Sequence, residues 1–120
     1  MQLWTIQMCN WRVAESKGIE LLDTTVKGNP GPLSPTWELV LLHKNGSISD
    51  EVYTELYLDM LRNSYRVNRS YWLDVCSKDR LAIACFCKCD KFCHRYILKD
   101  VLELVCKHNN VVFTYMGEIK

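Results

Sequence analysis

The sequence predicts an α/β fold of three layers, with about four mostly parallel strands and helices on both faces. Three observations carry the prediction. Short apolar, β-branched runs alternate with segments of helical periodicity, the order that builds parallel sheets. Residues 81–87 are apolar almost throughout, as a strand covered on both faces requires. The chain has 120 residues, 48% hydrophobic and 24% charged, which fits one core and one domain over 1–120.

Residues 3–8 predict the first strand. Asn10 is placed to cap a helix from Trp11 to about Lys17, which Gly18 stops. Residues 19–24 turn apolar again, so the opening reads as a βαβ unit whose second strand finishes at Asp23 and Thr24. The stretch 26–36 holds all three prolines and two of the five glycines, and predicts the longest loop. Ser34-Pro35 predicts a helix start, with Trp37, Val40 and Leu41 on one face and Lys44-Asn45-Gly46 as the stop. Ser49 caps the next helix, in which either Val52, Leu56 and Met60 or Tyr53, Tyr57 and Leu61 recur at helical spacing to about Tyr65. A further helix over about 68–76 turns Trp72 and Val75 inward. The central strand at 81–87 follows a polar turn, a helix over about 93–107 buries Ile97, Leu98, Val101, Leu102 and Val105, and 111–115 closes the sheet. All four tryptophans are read as core, with Trp11 beside Arg12 also positioned to wall a strand-end pocket.

Fifteen Lys+Arg against fourteen Asp+Glu give a net charge of +1, which excludes a general polyphosphate-coating protein. No apolar run approaches bilayer length, and the first residues show no basic segment leading into an apolar stretch. A soluble cytoplasmic protein without a membrane partner is expected. The seven cysteines are odd in number, and four of them, Cys85, Cys87, Cys89 and Cys93, crowd into nine positions, which argues against a disulfide scaffold.

In open parallel sheets, ligands bind outside the carboxyl ends of the strands. Here that edge collects 8–12, 23–27 and 85–95. The last segment concentrates thiols, an imidazole and a guanidinium where a strand hands over to a helix. The helix amino terminus offers unpaired N–H groups to an anion, and Arg95 a bidentate grip. Four readings compete. Structural zinc has donors enough, but C-x-C inside a strand is not a zinc knuckle and no second ligand pair lies elsewhere. A thiol nucleophile is suggested by Cys89 and Arg95 at C-x5-R spacing, without the glycines that such a loop uses. An anion pocket without chemistry would use the helix terminus, Arg95 and Lys27, and ranks first of these three. The fourth reading is plain packing, with Cys85 and Cys87 as small strand side chains and Cys93 beneath the helix. Asp23 would orient His94 or Arg95, bind a ribose hydroxyl, or simply hold its loop. Arg62, Arg66 and Arg69 with Tyr65 and Tyr71 form a basic, aromatic patch that reads first as a solvated helix face, so nucleic acid is the less favoured partner.

Several segments carry a resemblance: Leu22-Asp23-Thr24-Thr25-Val26-Lys27-Gly28, Ser34-Pro35-Thr36-Trp37, Ile48-Ser49-Asp50-Glu51-Val52-Tyr53 with Tyr57 and 60–65, Cys85-x-Cys87, Phe92-Cys93-His94-Arg95, and Tyr115-Met116-Gly117-Glu118-Ile119. In order and spacing the chain resembles the compact, phage-type branch of the domain of unknown function four-eight-eight family, small α/β proteins of bacteria and phages. The resemblance implies one shared pocket at the strand ends. Cys89 departs from it, where such sequences tend to have a small residue.

The expectation is a small cytoplasmic protein that binds an anionic, nucleotide-like ligand through Arg95, Lys27, Thr25, Cys87 and Arg12, with no cofactor or metal assigned. The first alternative is a hydrolase of a nucleotide or nucleic acid that uses His94, Cys85 and Asp23. The second is a phage protein that binds a host protein. Whether the chain is an enzyme stays open at this point.

Overall fold

A computed structural model describes residues 1–26, 31–87 and 91–120. In chain order the elements are β1 (Gln2–Gln7), α1 (Trp11–Ser16), β2 (Glu20–Asp23), α2 (Trp37–Lys44), α3 (Asp50–Val67), α4 (Arg69–Cys76), β3 (Arg80–Cys85), α5 (His94–His108) and β4 (Thr114–Ile119), with a 3-10 turn at Met8–Asn10 between β1 and α1. The four strands form one sheet in the order β2-β3-β1-β4, parallel at every pairing. This is the expected three-layer α/β architecture. β3 is an interior strand, as its apolar run requires, and it separates β2 from β1, so the first two strands are not neighbours.

Alternation along the strands explains the layers. Leu3 on β1 and Leu81 and Ile83 on β3 face a core built with Leu39, Tyr53, Tyr57, Leu61, Trp72, Leu98 and Leu102 from α2 to α5. Ile6, Ala82 and Ala84 face the other way, with Ala14 and Ile19 around α1. The two alanines let α1 come close to the sheet. Trp72 is the largest side chain buried completely, and its Nε1–H donates to Ser64 Oγ at 3.1 Å while that hydroxyl donates to Pro32 O at 2.6 Å. Tyr57 O–H donates to Leu33 O at 2.6 Å, so two hydrogen-bonded anchors tie the proline-rich loop to α3. Of the two apolar stripes that α3 offers, the Tyr53, Tyr57, Leu61 stripe is the buried one.

Several boundaries differ from expectation. Ser34-Pro35 does not start α2: Thr36 is the N-cap and accepts from Leu39 N–H at 3.2 Å, while Ser34 Oγ donates to Thr25 O. Leu39 is the buried residue of α2, and Trp37 and Leu41 are exposed. Asn10 makes no side-chain cap, because the 3-10 turn already carries the chain into α1. Trp11, like Trp37, is exposed rather than core. The last strand lies at 114–119 and not 111–115. Val111 and Phe113 instead pack against the larger core, and β4 starts where Thr114 pairs with Gln2. Asn110 takes a positive φ of 59° as the chain leaves α5, a conformation to which Asn is well suited. No helix among the described residues is long and apolar enough to cross a membrane.

Candidate functional site

The carboxyl ends of β2 and β3 and the first turn of α5 enclose a cleft of about 330 Å³. Thr25 and Val26 line it from the end of β2, Cys85, Phe86 and Cys87 from the end of β3, and Phe92, Cys93 and His94 from the entry to α5. α2 adds Trp37, Val40, His43 and Lys44, and α3 adds Tyr53. Aromatic groups stack within these walls, with Phe92 5.0 Å from the His43 ring and 5.4 Å, edge-on, from Tyr53.

His94 is buried, and its Nε2 lies 2.9 Å from Thr24 O and 3.1 Å from Thr24 Oγ1. The Thr24 hydroxyl donates onward to Ala84 O at 2.8 Å, so Nε2 carries the hydrogen and donates to the carbonyl. Nδ1 is then the acceptor nitrogen, 3.9 Å from Cys93 Sγ. Burial disfavours the imidazolium and lowers the His94 pKa to about 4, against the opposing pull of Cys87 and the Thr24 carbonyl. The ring is neutral at pH 7.

Cys85, Cys87 and Cys93 form one thiol cluster. Hydrogen bonds from Cys85 and Cys93 pull the Cys87 thiol down, whereas Cys93 is pushed up, first by its bond to Cys85, then by its bond to Cys87 and by burial. Cys85 is raised, chiefly by its bond to Cys87. Tyr53 is raised by burial and then by the thiols, so its hydroxyl stays protonated.

Arg95 is completely buried. Its Nη2 reaches Glu118 Oε2 at 3.0 Å and Nε reaches Oε1 at 3.3 Å, an engagement of the whole carboxylate. Nη1 donates to Cys85 Sγ at 2.8 Å and to Cys87 O at 2.9 Å, and Nη2 also donates to Tyr96 O–H at 3.0 Å. Burial opposes the charge, but Glu118 and the thiols outweigh it and raise the pKa, so the guanidinium is fixed as a cation. It clamps the end of β3 to the end of β4 and does not line the cleft.

The structure brings together Cys85, Cys87, His94, Arg95 and Thr25. Thr25 is buried, and its Oγ1 is the one buried side-chain polar atom without a partner among the described residues. Asp23 is exposed and accepts from Thr25 N–H at 2.8 Å; it is not hydrogen-bonded to His94, whose Nε2 is held by Thr24. Arg12 sits on α1, stacked 5.2 Å from the Trp11 ring centroid, and does not line the cleft. Lys27 and Cys89 lie outside the described residues. Of the basic patch, Arg62 pairs with Asp59, Arg66 donates to Asn63 and Arg69 lies over Tyr65.

Sequence reasoning missed Glu118, Tyr96, Thr24 and the α2 and α3 walls. Glu118 had a signal, since it belongs to the terminal Tyr115–Ile119 segment, but a strand placed at 111–115 leaves it beyond the sheet.

A four-stranded parallel sheet between helical layers, with a thiol- and imidazole-lined cleft at its carboxyl edge, makes the chain a three-layer α/β domain. The chain belongs to the DUF488 family: the sequence model of DUF488-N3a, described as the active DUF488-N3 subclade, matches residues 10–105. No curated protein and no solved structure matches it.

Proposed function

We propose that the protein binds a small anionic ligand of the nucleotide class in this cleft. The observation that carries the reading is the make-up of the cleft: aromatic walls from Trp37, Phe86 and Phe92, beside a buried Thr25 hydroxyl without a partner among the described residues. Stacking a flat heteroaromatic ring between such side chains is worth about 1–3 kcal/mol. The Thr25 hydroxyl supplies a directional hydrogen bond, and satisfying it on binding removes the cost of its burial. Lys44 and the amino-terminal turn of α5 supply positive potential for a phosphate. Arg95 is a positioning residue in this scheme. It holds the 85–87 turn and biases the local field, with its donors already committed to protein acceptors. Reduced thiols at such a site suit the cytoplasm, where nucleotides are also abundant.

A hydrolytic reaction through Cys, His and Asp has one geometric support, the acceptor Nδ1 of His94 facing Cys93. Its orienting carboxylate is absent from that pair, since Asp23 holds Thr25. Binding is the better-supported function.

Thermal shift and calorimetry against nucleoside mono- and diphosphates test the proposal. A saturable rise in Tm is expected, abolished in Thr25→Val and Trp37→Ala. A flat response to the whole panel at millimolar ligand would overturn it and leave a protein-binding module as the reading.

A further inference from the structure

We infer that Cys85, Cys93 and His94 form a binding site for one soft divalent metal ion of the zinc class, seated at the floor of the cleft. The inference is independent of the nucleotide reading. Sγ of Cys85, Sγ of Cys93 and a ring nitrogen of His94 all lie within 4.8 Å of one another, and all three residues are buried. In a tetrahedral zinc site with Zn–S of about 2.3 Å and Zn–N of about 2.0 Å, neighbouring donors stand roughly 3.5–3.8 Å apart. The Cys93 Sγ to His94 Nδ1 distance of 3.9 Å is already close to that spacing.

The outer contacts fit as well as the donors do. A metal-binding imidazole typically donates its other ring N–H to a carbonyl or carboxylate, which fixes the tautomer and aims the ligating nitrogen. His94 does this through Nε2 and Thr24 O at 2.9 Å, and turns Nδ1 toward the thiols. Arg95 Nη1, 2.8 Å from Cys85 Sγ, is placed to stabilise a bound thiolate, and Glu118 balances the guanidinium charge. On binding, Cys85 and Cys93 each release their thiol proton to solvent, and two thiolates neutralise the divalent charge. All three donors line the cleft, as does Cys87, so the fourth coordination position is left to the Cys87 thiol or to a group in the cleft.

Sequence spacing hides this site, because Cys93 and His94 open α5 and Cys85 ends β3. The fold closes a gap that no knuckle motif spans.

The full chain, reduced and stripped with a chelator, is titrated with cobalt(II) and then zinc(II) without nucleotide. One cobalt per chain with thiolate charge-transfer absorption is expected, displaced by one equivalent of zinc, together with a rise in Tm. Cys85→Ser and Cys93→Ser should lose stoichiometric binding, and Cys76→Ser should retain it. X-ray absorption of the zinc-loaded wild-type protein needs no variant, and should show sulfur and imidazole nitrogen in the first shell. Substoichiometric binding by the wild type, a shell without sulfur, or loss of the metal in Cys76→Ser would each overturn the inference.

Discussion

Replacing Glu118 with Leu tests the clamp at its weakest point. The substitution removes the sole carboxylate hydrogen-bonded to Arg95 among the described contacts, and both side chains are shielded, Arg95 at 0% and Glu118 at 10% exposed. At the 3.0 Å separation of the pair, an effective dielectric of about 20 gives a gross attraction of roughly 5 kcal/mol. Stranding one buried partner costs about 3–5 kcal/mol in general. Cys85 Sγ, Cys87 O and Tyr96 O–H remain as acceptors, which puts Glu118→Leu near the lower end, about 3 kcal/mol. A domain of this length holds about 6–18 kcal/mol in total, so the variant folds but loses a large share. Its Tm falls by about 10 °C or more. Urea unfolding followed by far-ultraviolet circular dichroism reads the change in midpoint at constant slope. Arg95→Met combined with Glu118→Leu should cost less than the sum of the single changes by about 2 kcal/mol, since neither charge is then stranded. A loss below about 1 kcal/mol in Glu118→Leu, or strict additivity in the pair, would refute the account of Arg95 as a buried, carboxylate-dependent clamp.

Two further substitutions probe the scaffold around the cleft. Ser64→Ala unpairs both Trp72 Nε1 and Pro32 O, and is expected to destabilise by about 2 kcal/mol in the same assay, while Ser64→Thr recovers part of the loss. Thr36→Ala removes the cap of α2 and should cost about 1 kcal/mol, with Thr36→Ser close to wild type; because α2 carries Trp37 and Lys44, nucleotide affinity should weaken in parallel.

The fold class was legible because each layer leaves its own pattern. Leu81, Ile83, Ala82 and Ala84 read as a strand covered on both faces, and the stripes on α3 and α5 read as helices packed on one side. What failed was local chemistry with two solutions. Ser34-Pro35 and Thr36 are both competent helix starts, and the choice fell to Thr36 because Ser34 is committed to Thr25 O and Gly31 N–H. Residues 111–113 are as strand-like as 114–119, and only the pairing with β1 decides between them. At the site, the segment from Cys85 to Arg95 was identified from its composition and its place after the central strand. The direction in which Arg95 points was not legible, because Arg95 is on α5 and its partner Glu118 is on β4, 23 residues away. Nor was the meeting of Cys85 with Cys93 and His94, which depends on how the end of β3 and the start of α5 approach one another.

The sheet order also fixes when the molecule can be assembled. Of the four strands, β1 leaves the ribosome before the others, yet both of its hydrogen-bonding edges belong to β3 and β4, whose residues begin at Arg80 and Thr114. At a synthesis rate of about 5–20 residues per second, the segment carrying Leu3 and Ile6 waits roughly 4–16 s for its first neighbour. Through that interval a sticky strand with open edges is exposed to other nascent chains, which makes elongation speed and chaperone access determinants of the yield of soluble protein.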